Sequence, residues 1–155
     1  MDVNLTGVFH TLKVAVPRMI EAGNGGSIVL TSSGAALTAG TQLGDYRATK
    51  AAVLSLTQTL AYELAPHWIR VNAVCPTAVD TTMIQNDRMY RMMRPDLEHP
   101  GPQDVAASFQ EMNLLPIPWI EAVDVSNAVV WLSSEQARYV TGVALPVDAG
   151  NALKC

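Results

Sequence analysis

The sequence predicts an α/β fold in which helices cover a parallel sheet. Three short apolar runs, residues 27–31, 69–74 and 143–147, have the length of strands and lack strict alternation, which is typical of strands buried on both faces. Helical periodicity separates the runs, and strands that alternate with helices favour a layered parallel sheet. The 155 residues suit one domain, so residues 1–155 are interpreted as a single domain.

Composition narrows the possible partners. Hydrophobic residues make up 49% of the chain and charged residues 15%, which is typical of a packed globular protein. The net charge is −4 and there is no basic run, which argues against a nucleic-acid partner. No apolar stretch has the length that crosses a bilayer, so we expect no membrane association.

Cysteine and histidine positions predict no metal site and no disulfide. Cys75 follows an apolar strand and Cys155 is the last residue, a spacing unlike that of metal ligands. His10, His67 and His99 share no ligand-like spacing either. Because the N-terminus also lacks the pattern of a signal peptide, we expect a reducing, cytoplasmic location.

Residues 4–22 are predicted to form an amphipathic helix, because apolar side chains recur at steps of three and four. Pro17 predicts a kink within it, and the Gly-rich residues 23–26 end it. Strand 27–31 and a loop at residues 34–45 follow. The apolar helix positions are Leu5, Val8, Phe9, Leu12, Val16, Met19 and Ile20.

The second half of the chain continues the alternation. A helix over 45–64 is broken by residues 66–68, and strand 69–74 is closed by Pro76. Residues 80–120 hold five prolines and weak periodicity, so we predict a mobile flap with short helices, with residues 82–118 closing over substrate. Asp124 or Ser126 is expected to cap a helix that runs through Leu132, before strand 143–147.

One spacing carries most of the chemistry. Ser33 follows the first strand, Tyr46 comes thirteen residues later, and Lys50 lies four residues beyond the tyrosine. Residues four apart share a helix face. A lysine ammonium beside a tyrosine favours the phenolate and lowers the phenol's pKa, which makes such a tyrosine a usable proton donor and acceptor near neutral pH.

In this context the chain resembles the C-terminal catalytic half of a classical short-chain dehydrogenase/reductase. Three further segments look like the carveol-dehydrogenase-like, mycofactocin-associated branch: residues 63–66, Pro76-Thr77 with Asp80-Thr81, and Pro118-Trp119. The resemblance implies a partial Rossmann-like, doubly wound sheet that lacks its first strands. The family-like segments are residues 3–7, 26–29, Ser33, Tyr46 with Lys50, residues 69–72, Pro76 with Thr81, residues 140–142 and Val147-Asp148.

The resemblance also implies roles for single residues. Tyr46 would exchange a proton with the substrate oxygen, while Lys50 would assist Tyr46 and bind the nicotinamide ribose. Ser33 would hold the substrate oxygen, and Asn4 would organise a water that links Lys50 to solvent. The remaining cofactor-binding positions would be Pro76, Thr77, Val79 and Thr81.

Several alternatives stay open. Ser32 could replace Ser33 as the serine that holds the substrate oxygen, although the spacing to Tyr46 favours Ser33. Thr77 stands where the family usually has glycine, which weakens the expectation of close backbone approach to a cofactor. Thr81 could simply cap a helix.

The cofactor expectation is NAD or NADP, with NAD favoured. The sequence holds no Gly-rich turn that opens a helix after a first strand, the usual pyrophosphate site. We therefore expect a fragment or shortened gene, with a free edge beside strand 27–31 and low stability of the isolated chain.

Three functions fit these features. The first is an NAD(P)-dependent oxidoreductase that interconverts a secondary alcohol and a ketone. The second is a non-enzymatic remnant that forms homo-oligomers through helices 4–22 and 45–64. We expect an active oxidoreductase to form homo-oligomers through the same two helices. The third is a related isomerase or lyase. A small apolar substrate is suggested by Met83, Ile84, Met92, Met93, Leu114, Leu115 and Trp119.

Overall fold

A parallel sheet with flanking helices forms the centre of the fold. The computed structural model describes residues 1–40 and 43–154, so the expectation about Cys155 lies outside the described residues. Strands β1 (Gly26–Thr31), β2 (Ile69–Pro76) and β3 (Ala144–Val147) run parallel in the order β1-β2-β3. The predicted α/β class and all three strands are confirmed.

The helices lie close to their predicted positions. The helix predicted over 45–64 begins one residue earlier, while the one predicted over 4–22 is α-helical only from Val8. Its first turns, Asp2–Gly7, wind as a π-helix, a form often found at functional sites. The α-helices are α1 (Val8–Ala22), α2 (Gly44–Leu64), α3 (Asp87–Met93), α4 (Pro102–Glu111), α5 (Ala122–Ser133) and α6 (Asn151–Lys154).

Glycine ends α1 as predicted. Gly23 has a φ of +66° and donates its N–H to the carbonyl of Ile20, a left-handed conformation that glycine adopts at little cost. The chain can then turn directly into β1. Pro17 lies inside α1.

The central strand β2 forms the core of the sheet. Val71, Ala73, Val74 and Cys75 of this strand are fully buried, which fits its nearly unbroken apolar sequence. Cys75 therefore lies within the strand rather than after it. Burying a valine or isoleucine side chain contributes roughly 1.5–3 kcal/mol. Around Ile69 and Val71 of β2 pack Val16, Met19 and Ile20 of α1, Leu60, Ala61 and Leu64 of α2, and Ile28 of the neighbouring strand β1.

Two polar residues of β2 tie the C-terminal elements to the sheet. The amide of Asn72 donates to the carbonyl of Val140 at 2.9 Å and accepts the N–H of Val143 at 3.1 Å. The Arg70 guanidinium donates to the carbonyls of Leu132 and Ser134. These bonds place the end of α5 and the start of β3 against β2.

The capping prediction for α5 is wrong in detail. The helix begins at Ala122 with Glu121 as its N-cap residue, so neither Asp124 nor Ser126 is the cap. Asp124 lies in the first turn, where its carboxylate accepts the N–H of Glu121 at 3.2 Å. A carboxylate at the third position of a helix can accept the N–H of the N-cap residue. For this reason the polar residue that suggested the helix start lies three positions after the actual N-cap, Glu121.

The flap segment has a small core of its own. Ile84, Tyr90, Val105 and Phe109 are buried together, and Phe109 meets the Trp119 ring edge-on at 6.0 Å between centroids. The predicted short helices are confirmed as α3 and α4.

Candidate active site

The candidate residues gather at the carboxyl ends of the strands. Ser33 lies two residues beyond the end of β1, and Pro76-Thr77 lies at the end of β2. Open α/β sheets bind their ligands at this edge. Helix α2, which carries Tyr46 and Lys50, begins near the same edge and packs against β2.

The two serines have different partners. The Ser32 hydroxyl is buried and donates to the backbone carbonyl of Lys50 at 2.8 Å. The Ser33 hydroxyl accepts the N–H of Ala35 at 3.1 Å, as N-cap of a short 3-10 helix, Gly34–Ala36. A hydroxyl has one hydrogen and two lone pairs, so Ser33 keeps its own hydrogen for donation. This contrast supports Ser33 rather than Ser32.

Tyr46 and Lys50 share one face of α2, as their spacing predicts. The Lys50 ammonium lies 5.8 Å from the centre of the Tyr46 ring, within the range of a cation–π contact. The same ammonium donates to the carbonyl of Thr31, the last residue of β1, at 3.0 Å. Lys50 therefore links the tyrosine helix to the end of the strand that precedes Ser33.

Burial shifts the pKa values of two groups at this site, Lys50 and Cys75. Partial burial of Lys50 lowers the pKa of its ammonium, because desolvation disfavours the charged form. Burial raises the pKa of the Cys75 thiol above its usual value, and this effect exceeds the opposing hydrogen bond from Ser32. A neutral thiol and a partly desolvated ammonium therefore lie beside residues 32–38, which we call the serine loop.

Asn4 lies on the π-helical segment Asp2–Gly7. The residue is half-buried, and its segment contacts α2. This arrangement brings Asn4 to the helix that carries Lys50.

Residues 76–81 are held mainly by main-chain bonds. The N–H of Thr77 donates to the carbonyl of Val147, and Val79 pairs with Ile120 in an isolated parallel bridge. The hydroxyl of Thr81 donates to the carbonyl of Val79 at 3.3 Å. Only a turn starts at Thr81, so its alternative role as a helix cap is wrong.

The Thr77 hydroxyl is directed at the flap. It donates to the buried side-chain oxygen of Asn113 at 3.2 Å, while the Asn113 amide donates to the carbonyl of Ile117 at 2.8 Å. Lys154 adds a bond from its ammonium to the Asn113 carbonyl at 2.9 Å. The loop after β2, the base of the flap and the C-terminal helix are thus bonded through one residue.

Sequence reasoning missed Asn113 and Arg47. The Arg47 guanidinium donates to the carbonyls of Ala35 and Thr38 and to the Thr38 hydroxyl. For Arg47 the only signal in the sequence was a positively charged side chain directly after Tyr46, and such a side chain does not by itself indicate which groups it binds.

The residues proposed to line an apolar substrate site divide into two groups. Ile84 is buried in the flap core, and Met93 and Trp119 pack against that core, so these three stabilise the flap itself. Met83, Met92, Leu114 and Leu115 are exposed. A cleft of about 270 Å³ opens between the serine loop and the flap, lined by Thr38, Ala39, Arg47, Glu111, Met112, Asn151 and Lys154.

The described residues offer no metal-binding cluster. Nowhere in 1–40 and 43–154 do three or more His, Cys, Asp or Glu side chains come together in a ligand-like group. Within the same residues, no helix is both long and apolar enough to span a membrane.

Comparisons with known proteins extend these observations. A family model described as Enoyl-(Acyl carrier protein) reductase matches residues 1–152. A (-)-trans-carveol dehydrogenase of Rhodococcus erythropolis is 55% identical over 154 residues, which cover 99% of this chain and 56% of that protein. A putative short-chain type dehydrogenase/reductase of Mycolicibacterium smegmatis is 52% identical over 154 residues, which cover 99% of this chain and 55% of the relative.

A solved structure gives the same match. Carveol dehydrogenase from Mycobacterium avium in complex with NAD is 56% identical and superposes with a TM-score of 0.97, over 99% of this chain and 55% of that one. A short chain dehydrogenase from Mycobacterium paratuberculosis bound to NAD is 36% identical with a TM-score of 0.81, over 99% of this chain and 55% of that one. The chain spans about half the length of the relatives that it matches.

Proposed function

The chain belongs to the short-chain dehydrogenase/reductase family, and on that premise we propose that it serves the interconversion of a secondary alcohol and a ketone with NAD or NADP. NAD is favoured, because two solved structures that the chain resembles, those from Mycobacterium avium and Mycobacterium paratuberculosis, are NAD complexes. The single observation that carries the proposal is the arrangement of Tyr46 and Lys50 on one face of α2, beside the loop of Ser33.

The donors at this edge fit the nicotinamide end of a dinucleotide. An ammonium has three N–H donors, and Lys50 directs one of them at Thr31, which leaves capacity for ribose hydroxyls. Residues 76–81 supply backbone groups at the carboxyl end of β2. The sequence contains no Gly-rich turn that opens a helix for the pyrophosphate, so the proposed contacts are limited to the nicotinamide and its ribose, at Tyr46, Lys50, Pro76, Thr77, Val79 and Thr81.

Proton transfer is assigned to the side chains of this chain. A bound nicotinamide would supply the acceptor for a hydride from the alcohol carbon in oxidation, or the donor of a hydride to the ketone carbon in reduction. Tyr46 takes the alcohol proton in oxidation and returns it in reduction, and the nearby Lys50 ammonium stabilises the phenolate. The Ser33 hydroxyl donates a hydrogen bond to the substrate oxygen, and Asn4 is proposed to hold a water on the path from Lys50 to solvent.

The proposed substrate is a small, apolar secondary alcohol or its ketone. The flap, residues 82–118, would close over it, and exposed apolar residues of this segment support the assignment. The carveol dehydrogenase relatives add support for a compound of terpenoid alcohol type. The test is oxidation of secondary alcohols of increasing size with NAD and with NADP, followed by the absorbance of the reduced nicotinamide. Preference for charged or primary alcohols would contradict the proposal.

A non-enzymatic function remains the second candidate because of the sheet edge. Within the described residues β1 pairs only with β2, so its other edge is available for association, and a homo-oligomer through α1 and α2 is proposed for either function. A titration of the chain with NADH and NADPH separates the candidates. Binding supports the oxidoreductase, while absence of binding of both at millimolar concentration supports the remnant.

A further inference from the structure

The residue after the tyrosine has no assigned role, yet its side chain is directed at the serine loop. Arg47 is half-buried on the first turns of α2. Its Nη1 atom donates to the carbonyl of Ala35 at 3.1 Å, to the hydroxyl of Thr38 at 3.0 Å and to the carbonyl of Thr38. Hydrogen bonds from a charged donor are stronger than neutral ones.

These acceptors belong to the turn that Ser33 begins. Ser33 caps the 3-10 helix Gly34–Ala36, which is closed by bonds from Ala36 N–H to the Ser33 carbonyl and from Leu37 N–H to the Gly34 carbonyl. The Thr38 hydroxyl donates in turn to the Gly34 carbonyl at 3.3 Å. Arg47 thus binds the middle of the turn at Ala35 and its last part at Thr38, and the first residue of this turn is the proposed substrate-binding serine.

Gly40 provides the space that this guanidinium needs. A Cβ atom at Gly40 would lie 2.5 Å from the Nη2 atom of Arg47 and 3.2 Å from its Cζ atom. Alanine at this position would therefore displace the guanidinium while leaving residue 47 unchanged. The observed position of the Arg47 guanidinium therefore requires a residue without a side chain at position 40.

We propose that Arg47 is a positioning residue, which fixes the Ser33 turn against the start of α2 and so sets the Ser33 hydroxyl relative to Tyr46. Tyr46 and Arg47 are consecutive on one helix, so a bond from Arg47 to the turn constrains the separation of the two catalytic side chains. The catalytic part of this inference rests on the proposed oxidoreductase function, whereas the structural part does not.

The first test measures amide hydrogen exchange in the chain, which requires no cofactor. In Arg47→Ala we expect the N–H groups of Ala36 and Leu37 to exchange at least about tenfold faster, since charged hydrogen bonds that hold the turn are lost. Gly40→Ala should act in the same direction with a smaller effect. Arg138→Ala, at an exposed arginine beside Tyr139, is the matched control. Unchanged exchange in Arg47→Ala would overturn the inference.

The second test is kinetic. We expect kcat of Arg47→Ala to fall about tenfold or more with little change in KM for the nicotinamide, and added guanidinium ion, but not sodium at equal ionic strength, to restore part of the rate. Faster exchange with unchanged kcat would overturn the catalytic part. An unsubstituted chain without dehydrogenase activity would instead contradict the proposed function, and the exchange experiment would still decide whether Arg47 holds the turn.

Discussion

Lys50 is held at both its backbone and its side chain by the end of one strand. Its carbonyl accepts the Ser32 hydroxyl, and its ammonium donates to the Thr31 carbonyl. The two bonds restrict both the helix turn and the lysine rotamer. At the residue scale the proposed chemistry therefore depends on a lysine whose position is fixed before any ligand binds.

Replacement of Lys50 by methionine tests its proposed role. We expect kcat/KM for alcohol oxidation to fall by about 10²-fold or more, because general acid–base contributions are of this size. Lys13→Met, at an exposed lysine of α1, serves as the control. Equal kcat/KM values for Lys50→Met and the unsubstituted chain would exclude this role.

The lowered Lys50 pKa also predicts a pH dependence of stability. The native chain releases this proton at a lower pH than the unfolded chain, whose lysine has the ordinary value of 10.5. The unfolded state therefore binds more protons just below that pH, and the free energy of unfolding contributed by Lys50 rises with pH. Urea unfolding at a series of rising pH values up to the ordinary lysine pKa of 10.5 should show the unsubstituted chain gaining stability relative to Lys50→Met. A constant difference would contradict the cause assigned here.

The flap is joined to the rest of the molecule by buried polar side chains at its base. Its own core fixes α3 against α4, while Asn113 joins this unit to the loop after β2 and to α6. Asn151 adds a bond from its amide to the Met112 carbonyl at 2.7 Å. At the scale of elements, closure over a substrate would move α3 and α4 as one body about this base.

Thr77→Val should loosen that base. The substitution keeps the shape of the side chain but leaves the buried Asn113 oxygen without its donor, which costs about 1–3 kcal/mol. We expect a lower urea midpoint and faster proteolysis within residues 82–118. Thr82→Val, at an exposed threonine of the same segment, is the matched control. If both variants unfold and are cleaved like the unsubstituted chain, Asn113 does not tether the flap.

Local patterns predicted the elements well, and tertiary contacts account for what they missed. The strands could be found within about two residues because apolar runs and glycine turns are local features. The hydrogen bond from Thr77 to Asn113 joins residues 36 positions apart. The periodicity of apolar residues along the sequence cannot predict a partner at this distance. The late prediction for the start of α5 arose because Asp124 serves Glu121 from inside the helix. The spacing of Ser33, Tyr46 and Lys50 predicted that they lie near one another at one sheet edge, and the structure places them there, while their catalytic roles stay predictions.

At the scale of the whole molecule, the sheet formed by the described residues has unpaired edges at β1 and β3. Among the described residues β1 has β2 as its only neighbour, and several large apolar side chains of α1 and α5 are exposed. Unpaired strand edges promote association with other chains. The unpaired sheet edge agrees with the finding that the chain matches only about half the length of its relatives.

We therefore expect the isolated chain to be marginally stable. Its free energy of unfolding should lie at or below the lower limit of about 5 kcal/mol that is common for native domains. Urea unfolding followed by fluorescence, together with light scattering over a range of protein concentrations, measures both stability and association. A sharp transition at a high urea midpoint, with scattering independent of concentration, would contradict this expectation.

The most direct test of the central claim compares two tyrosines. The rate of nicotinamide reduction by an apolar secondary alcohol is measured for the unsubstituted chain, for Tyr46→Phe and for Tyr62→Phe, whose side chain is exposed on α2. We predict that Tyr46→Phe loses about 10²-fold or more of the rate while Tyr62→Phe retains it. Equal rates for Tyr46→Phe and the unsubstituted chain, or no reduction by any of the three, would contradict the proposal.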